Sequence, residues 1–302
     1  DIAENFLGKT AAITNKTNAV AGTAPAVTSS DWETFFEAMP ALLQAFEIQE
    51  GLRLRCWLFG DSAQASQVEF RDFMIDRRNV GIRKPVAGIT GRAWNDNVIA
   101  DLQTDAAALN SEDLILAAGG YDKLDAYLSH APAIFGRRMS NAVTHNLTND
   151  PVIASELEEI WDEDGAGELT TLIRAGVFTI KSDIDGMRFT IGINTYQANE
   201  ELWDQVNNAT CDPMERDIGD FIDRLASDFL RRNAIGADGI DVSTFAGMLN
   251  QIFKTLLVNS VILSASVESI VPNNTNNGFD AVTRVEVVKP NNFIYIKNKL
   301  VI

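Results

Sequence analysis

Two cysteines and two histidines are all that 302 residues contain. Cys56, Cys211, His130 and His145 offer neither a disulfide framework nor a four-ligand zinc site at zinc-ligand spacing. Cys56 lies inside an apolar run and reads as a buried thiol, and a reducing compartment fits this usage best. Basic residues are scarce: 25 Lys and Arg stand against 42 Asp and Glu, a net charge of −17. Nucleic-acid binding needs clustered cations to neutralise phosphate, so that balance excludes a nucleic-acid partner and equally an anionic membrane surface. It suits a basic protein partner, or a subunit that repels its own copies until they assemble. No run of eighteen apolar residues occurs, so no membrane-spanning helix is expected. Residues 1–30 have no basic segment followed by an apolar block, so no signal peptide is visible. The chain begins at Asp1 rather than Met, which suggests a processed or trimmed product.

Reactive motifs are missing too. His130 or His145 would have to serve a Ser/His/Asp triad, but no GxSxG elbow or HExxH accompanies them. Both read as ordinary structural or surface histidines. Gly88-Ile89-Thr90-Gly91-Arg92 and Gly119-Gly120 lack the spacing of a phosphate loop and read as strand ends and turns. The Asx pairs lack the spacing of an EF-hand loop. Asp150, Glu156, Glu158, Glu159, Asp162, Glu163 and Asp164 make residues 149–167 strongly acidic, which reads as a solvated face or a contact to a basic neighbour. No catalytic residue, metal ligand or cofactor is singled out. A chain of this size without a reactive constellation leans toward a structural role.

What the sequence does contain is periodic. Leu169, Leu172 and Ile173 sit at helical spacing before Gly176, which is placed as a left-handed C-cap. Val177, Phe178 and Ile180 form an apolar run, Asp185-Gly186 signals a two-residue hairpin, and residues 187–194 alternate as a half-buried strand. Upstream, residues 1–30 read as an extended arm; Asn15-Lys16-Thr17 there is only formally a glycosylation acceptor. Asp31 is expected to cap a helix carrying Phe35, Phe36, Met39, Leu42, Leu43 and Phe46, interrupted at Pro40. Strands at 52–59, 80–89 and 113–118 then alternate with helices at 62–78 and 98–109. An apolar segment with Pro132 follows at 126–138. This pattern predicts an α/β fold, a parallel or mixed sheet sandwiched by helices. After Tyr196 come helices at 213–232 and 244–257, strand-like runs at 258–271 and 282–288, and a last extended run at 292–302. That half reads as a smaller α+β domain ending in an extended strand. The expected division is an arm at 1–30, an α/β domain at 31–192 and an α+β domain at 193–302. A terminal strand with no polar tail presents an edge in need of a partner.

Several segments, in order, resemble contractile tail sheath proteins of bacteriophages and related injection machines. They are Leu109-Asn110-Ser111-Glu112-Asp113-Leu114-Ile115-Leu116 with Gly119-Gly120-Tyr121; Asn146-Leu147-Thr148-Asn149; Leu169–Lys181; Gly186–Tyr196; Asp217-Ile218-Gly219-Asp220-Phe221-Ile222 with Phe229-Leu230; and Val285 through Pro290 to Ile302. The resemblance covers residues 31–302. It implies a non-enzymatic structural subunit with a subtilisin-like middle domain that is not a working protease. Copies would polymerise as a six-start helical sheath around an inner tail tube protein, between baseplate and tail terminator proteins. The sheath would belong to a virion, assembled in the host cytoplasm, and would contract to drive the tube through the host envelope. Phe293, Ile294, Tyr295, Ile296, Leu300 and Val301 would donate a strand to a neighbouring copy, which is also how an uncapped terminal strand is satisfied physically. The helix at 214–230, with Glu215, Arg216, Asp217, Asp220, Asp223 and Arg224, would face the tube. The family's N-terminal arm and glycine-rich lead-in are not recognisable in residues 1–30, so by itself this chain is expected to be monomeric. The alternatives are a sheath subunit of a non-viral injection particle and an α/β hydrolase using His130 or His145.

Overall fold

The structure is a computed structural model that describes residues 27–50, 56–79, 87–92, 98–123, 126–152, 167–183, 186–196, 212–233, 240–273 and 278–287. Helix α1 spans Ser29–Glu50. Its cap is Thr28 rather than Asp31: the Thr28 backbone N–H and hydroxyl donate to the Asp31 carboxylate at 2.8 and 2.7 Å, and Asp31 N–H donates back to Thr28 Oγ1 at 3.4 Å. This is a reciprocal capping box, which moves Asp31 to the third helical position. The helix also runs through Pro40, which has no N–H to give the Phe36 carbonyl but does not end the helix here.

Four short strands form one sheet: β1 (Cys56–Leu58), β2 (Ala87–Gly91), β3 (Leu114–Ala117) and β6 (Val177–Phe178). They pair in the order β1-β2-β3-β6, all parallel. Helices α2 (Gln64–Asn79), α3 (Ile99–Leu109), α4 (Ala131–Ser140) and α5 (Glu168–Arg174) connect and cover them. Both faces of the sheet are therefore buried. Leu114 and Leu116 point into a cluster with Phe36, Phe70, Leu102 and Leu172, while Ile115 and Ala117 point into a second with Ile89, Ile134, Phe178 and Phe189. This continuous apolar character is what a parallel sheet between two helical layers requires. The first cluster is aromatic at its centre, with Phe36 stacked on Phe73 and Phe59 on Phe70 at 4.9 Å.

The remaining named strands form three separate two-stranded antiparallel ribbons. The expected apolar segment at 126–138 divides: β4 (Gly120–Lys123) pairs with β5 (Ala126–Ser129), and Pro132 opens α4. A proline is tolerated there because the first helical N–H groups have no partner within the helix anyway. The run after Gly176 also divides, so that β6 joins the sheet while β7 (Ile180–Asp183) pairs with β8 (Gly186–Phe189). Asp183 pairs with Gly186, so the connecting residues are 184–185, one earlier than expected. Gly186 keeps a positive φ of 114°, but as the first residue of its strand.

The third ribbon belongs to a second unit. Helix α6 spans Pro213–Asn233 and α7 spans Val242–Val258. Strands β9 (Ile262–Asn273) and β10 (Gly278–Val287) form a long hairpin. A separate cluster holds this unit together, including Ile218, Ile222, Leu249, Ile252, Phe253 and Ile262. The fold is thus α/β followed by α+β.

Candidate functional site

Most of the segments that carried the sequence resemblance meet at one place, where the second unit abuts the N-terminal ends of β3 and β6. Gly176 has φ +81°, and a Cβ there would stand 2.8 Å from the Asn194 carbonyl oxygen. Only glycine lets the α5–β6 turn close on that segment. Residues 190–196 were expected to continue a strand to 194, but the ladder with β7 stops at Phe189. The backbone beyond it is drawn into other partners: Gly192 N–H donates to Thr148 Oγ1 at 2.9 Å and Thr195 N–H to the Leu114 carbonyl at 2.8 Å. Thr195 Oγ1 accepts from Ser111 N–H at 3.0 Å and donates to the Ser111 carbonyl at 3.1 Å. Asn194 Nδ2 donates to the Glu112 carbonyl at 3.0 Å, and Asn146 Oδ1 accepts from Thr148 N–H at 2.7 Å. Ile193 belongs to the second core cluster. The expected domain division at 192/193 therefore falls inside a segment that packs with the α/β unit.

Charged residues complete the joint. Asp212 is buried and its Oδ1 accepts from Met214 N–H at 2.8 Å, capping α6 with Pro213 at its first position. Arg138, from α4, donates to both oxygens of Asp217, Nη2 to Oδ1 at 2.6 Å and Nε to Oδ2 at 3.0 Å. Arg138 Nη2 also reaches the Pro213 carbonyl at 3.3 Å. The two side chains are 4% and 8% exposed, so this is a buried bidentate pair. Burial by itself would lower the Arg138 pKa, but the attraction and hydrogen bonds of Asp217, with smaller help from groups such as Asp220, together raise it above the ordinary value. Next to it, Arg216 stands 2.9 Å from Glu112, 3.4 Å from Asp113 and 3.5 Å from Asp220. A small cleft opens beside the pair, lined by residues including His145, Leu147, Gly192 and Met214.

Of the six residues expected to face a tail tube, Arg216, Asp217 and Asp220 thus lie in this joint, on the side of α6 turned to the α/β unit. Glu215 and Arg224 are half-buried and Asp223 is exposed. The six expected strand donors, Phe293, Ile294, Tyr295, Ile296, Leu300 and Val301, lie outside the described residues, as do the acidic residues 153–166. The hairpin that precedes the donors is described. One face, with Ala265, Val267, Ile270, Phe279 and Val285, packs on the unit's core. The other mixes serines and charges with exposed Leu263, Val271 and Val282.

The residues weighed for catalysis are placed otherwise. His130 is buried against Gly119, and burial lowers its pKa to about 4. His145 Nε2 lies 2.8 Å from Asp150, which also takes a hydrogen bond from Arg137. Gly88 and Gly91 are buried in β2, where a Cβ would collide with Leu114 and Phe70 or with Ser129, so packing accounts for them. Among the described residues no group of three or more His, Cys, Asp or Glu is placed to hold a metal ion, and no helix is long and apolar enough to cross a membrane.

Arg138 is a joint residue outside the segments that carry the resemblance, yet the sequence holds a signal for it. Ala131, Ile134 and Arg138 share one helical face, and all three are buried. An arginine on an apolar stripe demands a buried anion. Nothing in the sequence names Asp217 as that anion.

Comparison with known proteins bears on the fold. No protein-family profile and no curated protein sequence matches the chain. Solved structures with a similar fold include a sheath tail protein from Listeria innocua, with a TM-score of 0.60 at 18% identity over 90% of this chain and 59% of that one. Another is a sheath tail protein from Desulfitobacterium hafniense, with a TM-score of 0.57 at 15% identity over 89% of this chain and 62% of that one. The chain therefore spans about three fifths of the length of these structures.

Proposed function

We propose that the chain is a structural subunit of a contractile tail sheath, with no catalytic role. The observation that carries the reading is the joint. Segments that resemble the sheath family one by one, from Ser111 to Asp220, come together in space as a single polar contact, within a fold similar to two sheath tail proteins. Copies of the chain polymerise around an inner tail tube, between baseplate and tail terminator proteins, and contraction comes from a change of packing rather than from hydrolysis. Residues 293–301 add a strand to a neighbour's sheet, which supplies the main-chain bonds that an extended edge lacks. With Arg216, Asp217 and Asp220 engaged within the chain, the tube contact falls to Asp223 and the outward side of α6. Ultracentrifugation of the protein expressed from its complete reading frame tests this. The polymer is expected in the pellet, and deletion of residues 290–302 is expected to leave the protein in the supernatant. Protein that stays in the supernatant in both forms would sink the reading.

A further inference from the structure

The α/β unit and the second unit have separate apolar cores, and no cluster among the described residues includes members of both. Residues 197–211, outside the described residues, separate Tyr196 from the capping Asp212. Among the described residues, charged side chains span the boundary. Arg138 reaches Asp217 and Pro213, while Arg216 reaches Glu112 and Asp113.

We propose that the buried Arg138–Asp217 pair is an orientation lock that sets the angle between the two units, rather than a source of stability. An apolar contact between two cores is non-directional and tolerates sliding. A planar guanidinium engaging both oxygens of one carboxylate has a single good geometry. The mixed sign of the neighbouring cluster adds to this: Arg216 sits among three carboxylates on the second unit's helix and on the Ser111–Leu114 turn, so a rotation of α6 would leave like charges facing one another. Burial of the pair consumes most of its attraction in desolvation, so its removal as a pair changes stability little, whereas removal of one partner strands a buried charge.

The experiment is a double-substitution cycle with two readouts. Denaturant unfolding compares Arg138→Met, Asp217→Leu and the double variant, with Arg138→Lys as a charge-keeping control. Spin labels on Glu33→Cys and Glu268→Cys, exposed positions in the two units, report the inter-unit distance distribution in a Cys211→Ser background. Each single variant is expected to lower the folded-to-unfolded ratio by at least about a hundredfold, and the double variant to recover most of that loss. The double variant, though folded, is expected to show a broadened or shifted distance distribution. Arg138→Lys, whose single nitrogen lacks the planar two-nitrogen fork, is expected to broaden it to a smaller extent. A folded double variant that retains the single native distance would overturn the proposal, as would a double variant that is as unstable as the singles.

Discussion

Thr195 and Ser111 are 84 residues apart in the chain, yet they exchange two hydrogen bonds through one hydroxyl: Thr195 Oγ1 accepts from the Ser111 N–H and donates to the Ser111 carbonyl. Both residues are buried, at 0% and 5% exposure. A side chain here takes the place of a neighbouring strand, satisfying the main chain just before β3.

Thr195→Val keeps the shape and removes the hydroxyl. It leaves the buried Ser111 N–H and carbonyl without that partner, so a stability loss of about 2–4 kcal/mol is expected. Denaturant unfolding monitored by tryptophan fluorescence measures it. A change within about 0.5 kcal/mol would mean that water or a rearranged backbone replaces the bonds.

Two glycines should respond oppositely to alanine. Gly176 combines φ +81° with backbone atoms of Asn194 and Thr195 in the space a Cβ needs, so Gly176→Ala should cost about 2 kcal/mol or more. Gly136 lies within α4 with open space around it, so Gly136→Ala should stabilise by up to about 1 kcal/mol. Thermal melts of the two variants are expected to shift in opposite directions.

Acid sensitivity should run through His130. Its pKa falls to about 4 in the folded chain against an ordinary 6.5, because burial disfavours the charged imidazolium. Between those values the unfolded chain binds the extra proton, so stability is full above pH 6.5 and is lost as pH falls toward 4, by about 3 kcal/mol at most. Asp105 runs the other way: burial raises its pKa despite Arg92 at 2.6 Å, so its contribution is present at low pH and lost as pH rises. The His130 part is therefore read as a difference, unfolding free energy of the native chain minus that of His130→Gln from pH 7.5 to 4.5. A flat difference across that range would contradict the assignment.

The fold was legible where a local rule sufficed. Leu169, Leu172 and Gly176 marked α5 and its end, and the regular apolar face of 244–257 marked α7. That helix begins at Val242, however, because the Asp241 carboxylate caps it by accepting from Thr244 N–H at 2.7 Å. The Asp31 cap was misplaced for the same kind of reason, since two oxygens compete for the first turn and only the backbone path decides between Thr28 and Asp31. Residues 190–194 alternate like a strand, yet Thr148 takes the Gly192 N–H and Leu114 that of Thr195 just beyond. Long-range partners carry no mark in a single sequence, and the joint consists of such partners. Ser111, Glu112, Thr148, Asn194, Thr195 and Asp217 lie in segments that resemble the sheath family, but Arg138, which holds Asp217, does not.

The central claim is that copies of this chain form a sheath, and electron microscopy of the protein expressed from its complete reading frame, alone and with an inner tube protein, tests it most directly. Hollow tubes with helical order are predicted, in an extended form around the tube protein and in a shorter, wider form after acid or denaturant shock. Discrete particles with no tubular order at any concentration, with and without the tube protein, would contradict it.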